Sequence, residues 1–352
     1  MTATVGGAPA RANDIPTPAE PTPMSQITTT MLGTGTVIVD QTNASSSHTL
    51  TAGHIYRFEA WGASGADCDR DGGRGNYATG WYDMRELSDR IITWFAGRQG
   101  SGTTGGISNL ASSPTKYNGI AGGAGSIATV AGGGGGGASG IRFGSAELII
   151  AGGGGGAGAD GMTQIYQTLR CVSGGDGGGQ IGGNGSKMYT YGPNGGYGGS
   201  QSQHGQGGEN ANGYPNCEYC RQGGKYSGGS DINVSGYAGS ALSGGTSREG
   251  NSAAGLVRSG AGGGGGGGYA QGYSGGSGGA WSCSDCDYVF AGGGGGGSGG
   301  TSYIGGVTSI SGSLATTTWA QRTGHGRVVI TKYLTTHTIA LPPQSGTGWV
   351  LL

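Results

Sequence analysis

The residues best suited to chemistry are two CxxC pairs, Cys217-Glu218-Tyr219-Cys220 and Cys283-Ser284-Asp285-Cys286. Thiolates at that spacing are the ligand pattern of a four-cysteine zinc site. The stretch between the pairs, Arg221 to Ser282, is far longer than in a zinc ribbon. Neighbouring loops could equally bring the sulfurs together as disulfides, so loop cross-linking, structural zinc and free thiols all stay open. Of the six cysteines, Cys68 and Cys171 remain as candidates for a separate disulfide. The stretch Asp67-Cys68-Asp69-Arg70-Asp71-Gly72 repeats the first half of a calcium loop, with carboxylates at positions 1, 3 and 5 and glycine at 6. Position 12, where a bidentate glutamate belongs, is Ala78, leaving a weak Ca²⁺ site at Asp67, Asp69 and Asp71 to set against a solvated acidic turn neutralised by Arg70 and Arg74.

Catalytic signatures are missing. His48, His54, His204, His325 and His337 sit in unrelated contexts, with no HExxH and no G-x-S-x-G elbow. Glycine runs match GxGxxG by accident, and Gly224-Lys225-Tyr226 lacks the Ser/Thr that a phosphate loop places after lysine to hold Mg²⁺. The expectation is a protein that is not an enzyme, with no cofactor beyond the candidate Ca²⁺ or Zn²⁺. Charge is balanced, 18 basic against 19 acidic residues, which argues against nucleic acid or an anionic membrane as partner. No apolar run reaches the length of about 18 residues that a spanning helix needs, so no membrane insertion is expected.

The elements that must position these residues are organised around glycine, 90 of 352 residues. Four runs stand out: Gly132–Gly137, Gly152–Gly156, Gly262–Gly268 and Gly292–Gly297. Three of them are entered from an apolar residue and alanine (Val130-Ala131, Ile150-Ala151, Phe290-Ala291), where a buried strand would end. In ordinary secondary structure these runs would cost about 12–24 kcal/mol relative to alanine. An ordered fold can keep them only if missing side chains permit close backbone approach, with lateral N–H···O=C bonds between extended chains. Disorder of a Gly/Tyr-rich, condensate-forming chain is the competing answer.

Along the chain, residues 1–24 form a Pro-rich extended arm through Pro16, Pro18, Pro21 and Pro23. Residues 25–118 are β-rich, with strands expected at Ile27–Thr30, Thr36–Val39, His54–Trp61 and Ile91–Ala96, a helical turn within Asp83–Arg90, and loop from Gly97 to Asn118. The polar Asn43–Ser47 reads as a separator. The glycine scaffold spans 119–300, with short strands at Ile127–Val130, Ile141–Phe143, Glu147–Ile150 and Tyr288–Phe290. Within it lies a polar insert, 157–259, whose Tyr189, Tyr191, Tyr197, Tyr214, Tyr219 and Tyr226 are the candidate receptor-binding residues. Those rings could equally shield the flanks of the scaffold. Closing strands, Thr301–Ile304 and Arg327–Tyr333, occupy 301–334, and 335–352 is an apolar tail. The amino terminus has no apolar h-region, which suggests export by a route other than secretion, such as inside or on a virus particle. Asn43, Asn184 and Asn233 fit the glycosylation pattern, which requires secretion.

Several motifs together resemble a known family: Phe58-Glu59-Ala60-Trp61-Gly62-Ala63-Ser64-Gly65, Gly73-Arg74-Gly75-Asn76-Tyr77, Gly137-Ala138-Ser139-Gly140-Ile141-Arg142, Leu148-Ile149-Ile150-Ala151 and Gly324-His325-Gly326-Arg327-Val328-Val329-Ile330. In this order, over roughly residues 26–333, they resemble the glycine-rich domain of the anaplastic lymphoma kinase and leukocyte tyrosine kinase receptors, also found in proteins of protists, bacteria and large viruses. The resemblance implies a mainly β fold, a tumour-necrosis-factor-like β-sandwich fused to a packed, near-hexagonal bundle of polyglycine II helices. Such a helix has three residues per turn and rises about 3.1 Å per residue, so six glycines span about 19 Å. The texture of the runs is also similar to that of T-even-like phage tail-tip adhesins, which display variable loops on packed polyglycine helices. Nothing kinase-like accompanies the motifs, so receptor signalling is not implied. The expectation is a structural or attachment protein at a virion surface, as a capsid-associated or fibre component, or otherwise extracellular. Its partners would be neighbouring virion subunits, a host surface receptor or a second copy of itself. The alternative is a secreted or ectodomain module that binds a protein ligand through its β part.

Overall fold

The structure, a computed structural model, describes residues 30–31, 35–67, 72–110, 115–122, 131–159, 162–163, 232–234, 249–252, 255–258, 261–276, 280–283, 288–291, 294–310 and 314–336. The Pro-rich arm, the strand expected at Ile127–Val130 and the carboxy-terminal tail beyond 336 lie outside the described residues. The described chain is mainly β, built from antiparallel sheets; its helical content is a single 3₁₀ turn, Thr115–Tyr117.

Nine strands make the two larger sheets: β1 Thr36–Thr42, β2 Ser45–Leu50, β3 Ile55–Trp61, β4 Gly75–Asp83, β5 Arg90–Phe95, β6 Ser139–Phe143, β7 Ala146–Ala151, β8 Thr316–Arg322 and β9 Arg327–Tyr333. One sheet has the order β8-β4-β3-β9-β1 and the other β2-β5-β6-β7. Period-two alternation decides what each strand buries. On β3, Tyr56, Phe58 and Ala60 point into the core while Arg57, Glu59 and Trp61 are half-covered on the opposite face. On β9, Val328 and Ile330 lie beside Ala60 and Phe58 and join the same core. From the second sheet come Ile92, Trp94, Ile141 and Ile149, so the two sheets share one apolar core. The reverse face of the second sheet is covered as well. Phe95 and Ile150 sit on one rung, through Gly140, and pack with Tyr117 and Ala138 into a smaller cluster.

Three local expectations change. Ser45–Leu50 is a strand rather than a separator: only Leu50 of its six residues is buried, but β5 pairs with it along its whole length. Tertiary pairing overrides weak strand propensity there. Thr316–Arg322, within the closing region, is also a strand, paired with β4, and its Thr316-Thr317-Thr318-Trp319 start suits one. Thr301–Ile304 makes no strand; Tyr303 forms an isolated bridge to Ile150. Between β4 and β5 the chain makes one hydrogen-bonded turn, Leu87 N–H to Met84 C=O.

Strands run straight into glycine segments: β3 into 62–67, β5 into 97–107, β7 into 152–159, and 132–138 into β6. These segments form no helix and no strand, only isolated bridges such as Ser101 to Thr104, yet their peptide groups are bonded to one another. In the first run, Gly133 and Gly136 donate to Ala157 and Gly154, Gly134 and Gly137 to Gly102 and Arg98, and Gly135 and Ala138 to Ile120 and Tyr117. Donors three residues apart thus reach the same neighbour. The carbonyls of Gly133 and Gly136 accept from Gly264 and Gly267, and those of Gly134 and Gly137 from Ala66 and Ala63. The run is therefore bonded to five other segments. The same spacing recurs where Gly294, Gly297 and Gly300 donate to Ala159, Gly156 and Gly153. The hydrogen-bonded array thus includes chain ahead of residue 119.

Close approach explains the composition. A methyl group at Gly154 would collide with the Gly73 carbonyl, and one at Gly134 with that of Thr104; both obstacles are backbone and cannot rotate away. Gly102 is different: it has a positive φ of 51°, and no atom lies within 4 Å of an added Cβ. Gly102→Ala should cost about 1–2 kcal/mol through its backbone angle alone. Gly154→Ala or Gly134→Val should cost more than about 3 kcal/mol in urea unfolding. Equal costs at Gly102 and Gly154 would contradict the close packing.

Candidate functional site

Most residues singled out for chemistry fall outside the described residues. This holds for Tyr189, Tyr191, Tyr197, Tyr214, Tyr219 and Tyr226, for Asp69 and Asp71, and for Cys68, Cys171, Cys217, Cys220 and Cys286. Cys283 ends the strand Ala280–Cys283, paired with Tyr288–Ala291. Asp67 is placed: its Oδ1 accepts the Gly72 N–H at 2.7 Å, so positions 1 and 6 of the acidic loop close on each other. Among the described residues no three His, Cys, Asp or Glu side chains gather closely enough to hold a metal ion.

Asp67 borders an open polar depression of about 490 Å³, together with Arg98, Gln99, Ser101 and His325. The His325 Nδ1 accepts the Gln99 N–H at 3.0 Å, which leaves the ring proton on Nε2. A second feature is the outward face of the five-stranded sheet. There the Trp61 and Tyr77 rings pack at 4.8 Å, tilted by 37°, Arg327 lies 5.4 Å over the Trp61 ring, and Glu59 takes Arg57 at 3.0 Å and the Tyr77 hydroxyl at 2.7 Å. The Arg327 guanidinium also holds the Asp40 carboxyl below its usual range, mainly through a direct hydrogen bond.

The most highly organised cluster lies where the glycine segments meet the second sheet. The 3₁₀ turn Thr115–Tyr117 clamps two runs through its backbone: the Lys116 carbonyl accepts from Gly268 and that of Tyr117 from Ala138. Their side chains converge on Glu147 of β7, whose Oε1 accepts the Tyr117 hydroxyl at 2.7 Å and the Lys116 ammonium at 2.9 Å. The ammonium also sits 4.7 Å above the Tyr269 ring, and Tyr269 stacks on Tyr303 at 4.4 Å. The Tyr117 bond, reinforced by that of Lys116, holds the Glu147 carboxyl down at about 2. Burial, with the Glu147 bond second, pushes the Tyr117 phenol well up. Both groups keep one protonation state through the neutral range, which suits a fastening between the turn and β7. Sequence reasoning passed over Lys116, Tyr117, Glu147, Tyr269 and Tyr303. The available signal was positional: Tyr269 directly follows Gly268, the end of a run, and Tyr303 follows the glycines ending at Gly300 by three residues.

Among the described residues no helix is long and apolar enough to cross a membrane. The sequence matches no protein-family model and no curated protein.

Glu147 supplies a pH-dependent prediction. Its folded value lies below the unfolded value of about 4.3. The stability it contributes is therefore fully present above about pH 4.3 and is lost as pH falls towards about 2. Glu147→Gln should lower stability at pH 7 by about 1 kcal/mol, discounted for partial exposure, and flatten that part of the acid unfolding profile. An unchanged profile would show that the cluster does not fasten the junction.

Proposed function

We propose that the chain is a non-enzymatic structural or attachment protein, carried at a virion surface or otherwise outside the cell. In it a rigid glycine scaffold displays the Tyr-rich insert to a host receptor or a neighbouring subunit. On this reading the glycine segments are polyglycine II helices in a near-hexagonal bundle, and the two larger sheets are a tumour-necrosis-factor-like β-sandwich. The supporting observation is the three-residue period of the hydrogen bonds. A helix with three residues per turn projects successive N–H groups towards three neighbours, so residues i and i+3 address the same one. Gly133 and Gly136, Gly134 and Gly137, and Gly294, Gly297 and Gly300 follow that rule. With its lateral bonds made within the protein, such a bundle resists bending while its connecting loops stay free to vary. That division of labour suits a display scaffold. It also favours a folded chain over a condensate-forming one.

A second reading has one observation in its favour. The outward face of the five-stranded sheet carries Trp61, Tyr77, Arg57 and Arg327, residue types enriched in protein interfaces. A ligand-binding module would use that face.

The two readings separate on deletion of Thr190–Tyr226 compared with Trp61→Ala, measured as adhesion to host cells of beads coated with the full chain. The display reading expects the deletion to abolish adhesion while cooperative unfolding is retained, and Trp61→Ala to leave adhesion intact. Full adhesion by the deletion variant would overturn it.

A further inference from the structure

We propose that Tyr269 and Tyr303 are a site of oxidative cross-linking, where the two phenols couple into a dityrosine that joins the ends of two glycine segments to each other beside the second sheet. In other pairs whose two rings are both described, tyrosine faces phenylalanine, tryptophan or histidine, as in Phe58 with Tyr82, Phe95 with Tyr117, Trp61 with Tyr77 and His54 with Tyr56. Tyr269 and Tyr303 are two phenols, nearly parallel at 13° with centroids 4.4 Å apart. Tyr269 is 42% exposed, open to an oxidant, whereas Tyr117 of the same cluster is fully buried and hydrogen-bonded to Glu147.

The backbone holds the pair in register. Tyr269 N–H donates to the Thr301 carbonyl at 2.9 Å, and the Tyr303 N–H and carbonyl both bond Ile150, at 2.9 and 2.8 Å. Two radicals formed here have little to search, because the chain has already brought them together. The chemistry needs a one-electron oxidant, which a haem peroxidase with hydrogen peroxide supplies. Each phenol loses its hydroxyl proton and one electron. The two phenoxyl radicals join through ring carbons ortho to oxygen, and the two ring hydrogens return as hydroxyl protons. In total the protein loses two hydrogen atoms, and one peroxide becomes two waters. The bond would join Tyr269, at the end of the Gly262–Gly268 run, to Tyr303, beyond the glycines that end at Gly300. This coupling does not depend on the attachment reading.

The test treats the dilute full chain with haem peroxidase and hydrogen peroxide, then follows dityrosine fluorescence, intact mass and peptide mapping. The expected result is a monomer lighter by two hydrogen atoms and a linked peptide pair containing Tyr269 and Tyr303. Tyr303→Phe keeps the stacked ring but should lose that linked pair, with unfolding unchanged. Dityrosine confined to other tyrosines or to links between chains, with both target peptides recovered unlinked, would overturn the proposal.

Discussion

Every peptide group packed against another backbone must find a hydrogen-bond partner, and this requirement governs the described structure. In the sheets the partner is one strand on each side. In the glycine segments it is a set of neighbours all round: the first run alone is bonded to the segments at 63–66, 98–106, 117–120, 154–157 and 264–267. At positions such as Gly134 and Gly154 no side chain can be accommodated, since even a methyl group at Gly154 meets the Gly73 carbonyl. The glycine content is thus the condition for a core made of backbone, in place of the apolar side chains the sequence lacks.

The two kinds of core are continuous. β3, β5 and β7 each pass into a glycine segment without a turn, and 132–138 passes into β6, so strand register fixes where each segment enters the array. Phe95, Tyr117 and Ile150 fill the seam on the apolar side, while Lys116 and Glu147 close it on the polar side. In such a construction sheet and glycine array are joined through covalent chain and lateral bonds together. That continuity supports the display reading more directly than any single residue does.

What the sequence made legible followed from strong local signals. The branched and aromatic residues of His54–Trp61 and the alternation in Arg327–Tyr333 announced strands, and the apolar-alanine entry into Gly152 announced a strand end. Ser45–Leu50 was hidden because its strand character comes from its partner, whereas Thr316–Arg322 carried a signal in its threonines and Trp319 that was passed over. The cluster around Glu147 was hidden for a related reason. Lys116, Glu147, Tyr269 and Tyr303 are distant in sequence and meet only because the glycine segments return to the same sheet edge. Local pattern carries no record of such a meeting.

The central claim is that the glycine segments are an ordered, laterally bonded core, and native-state hydrogen exchange tests it most directly. The amides of Gly133–Gly137, Gly153, Gly154 and Gly156 all donate to backbone carbonyls of other segments. They should exchange only through global unfolding, with protection equal to that of Phe58 and Ile330 in the sheets. Exchange at the rate of an unstructured peptide, while the sheet amides stay protected, would contradict the account.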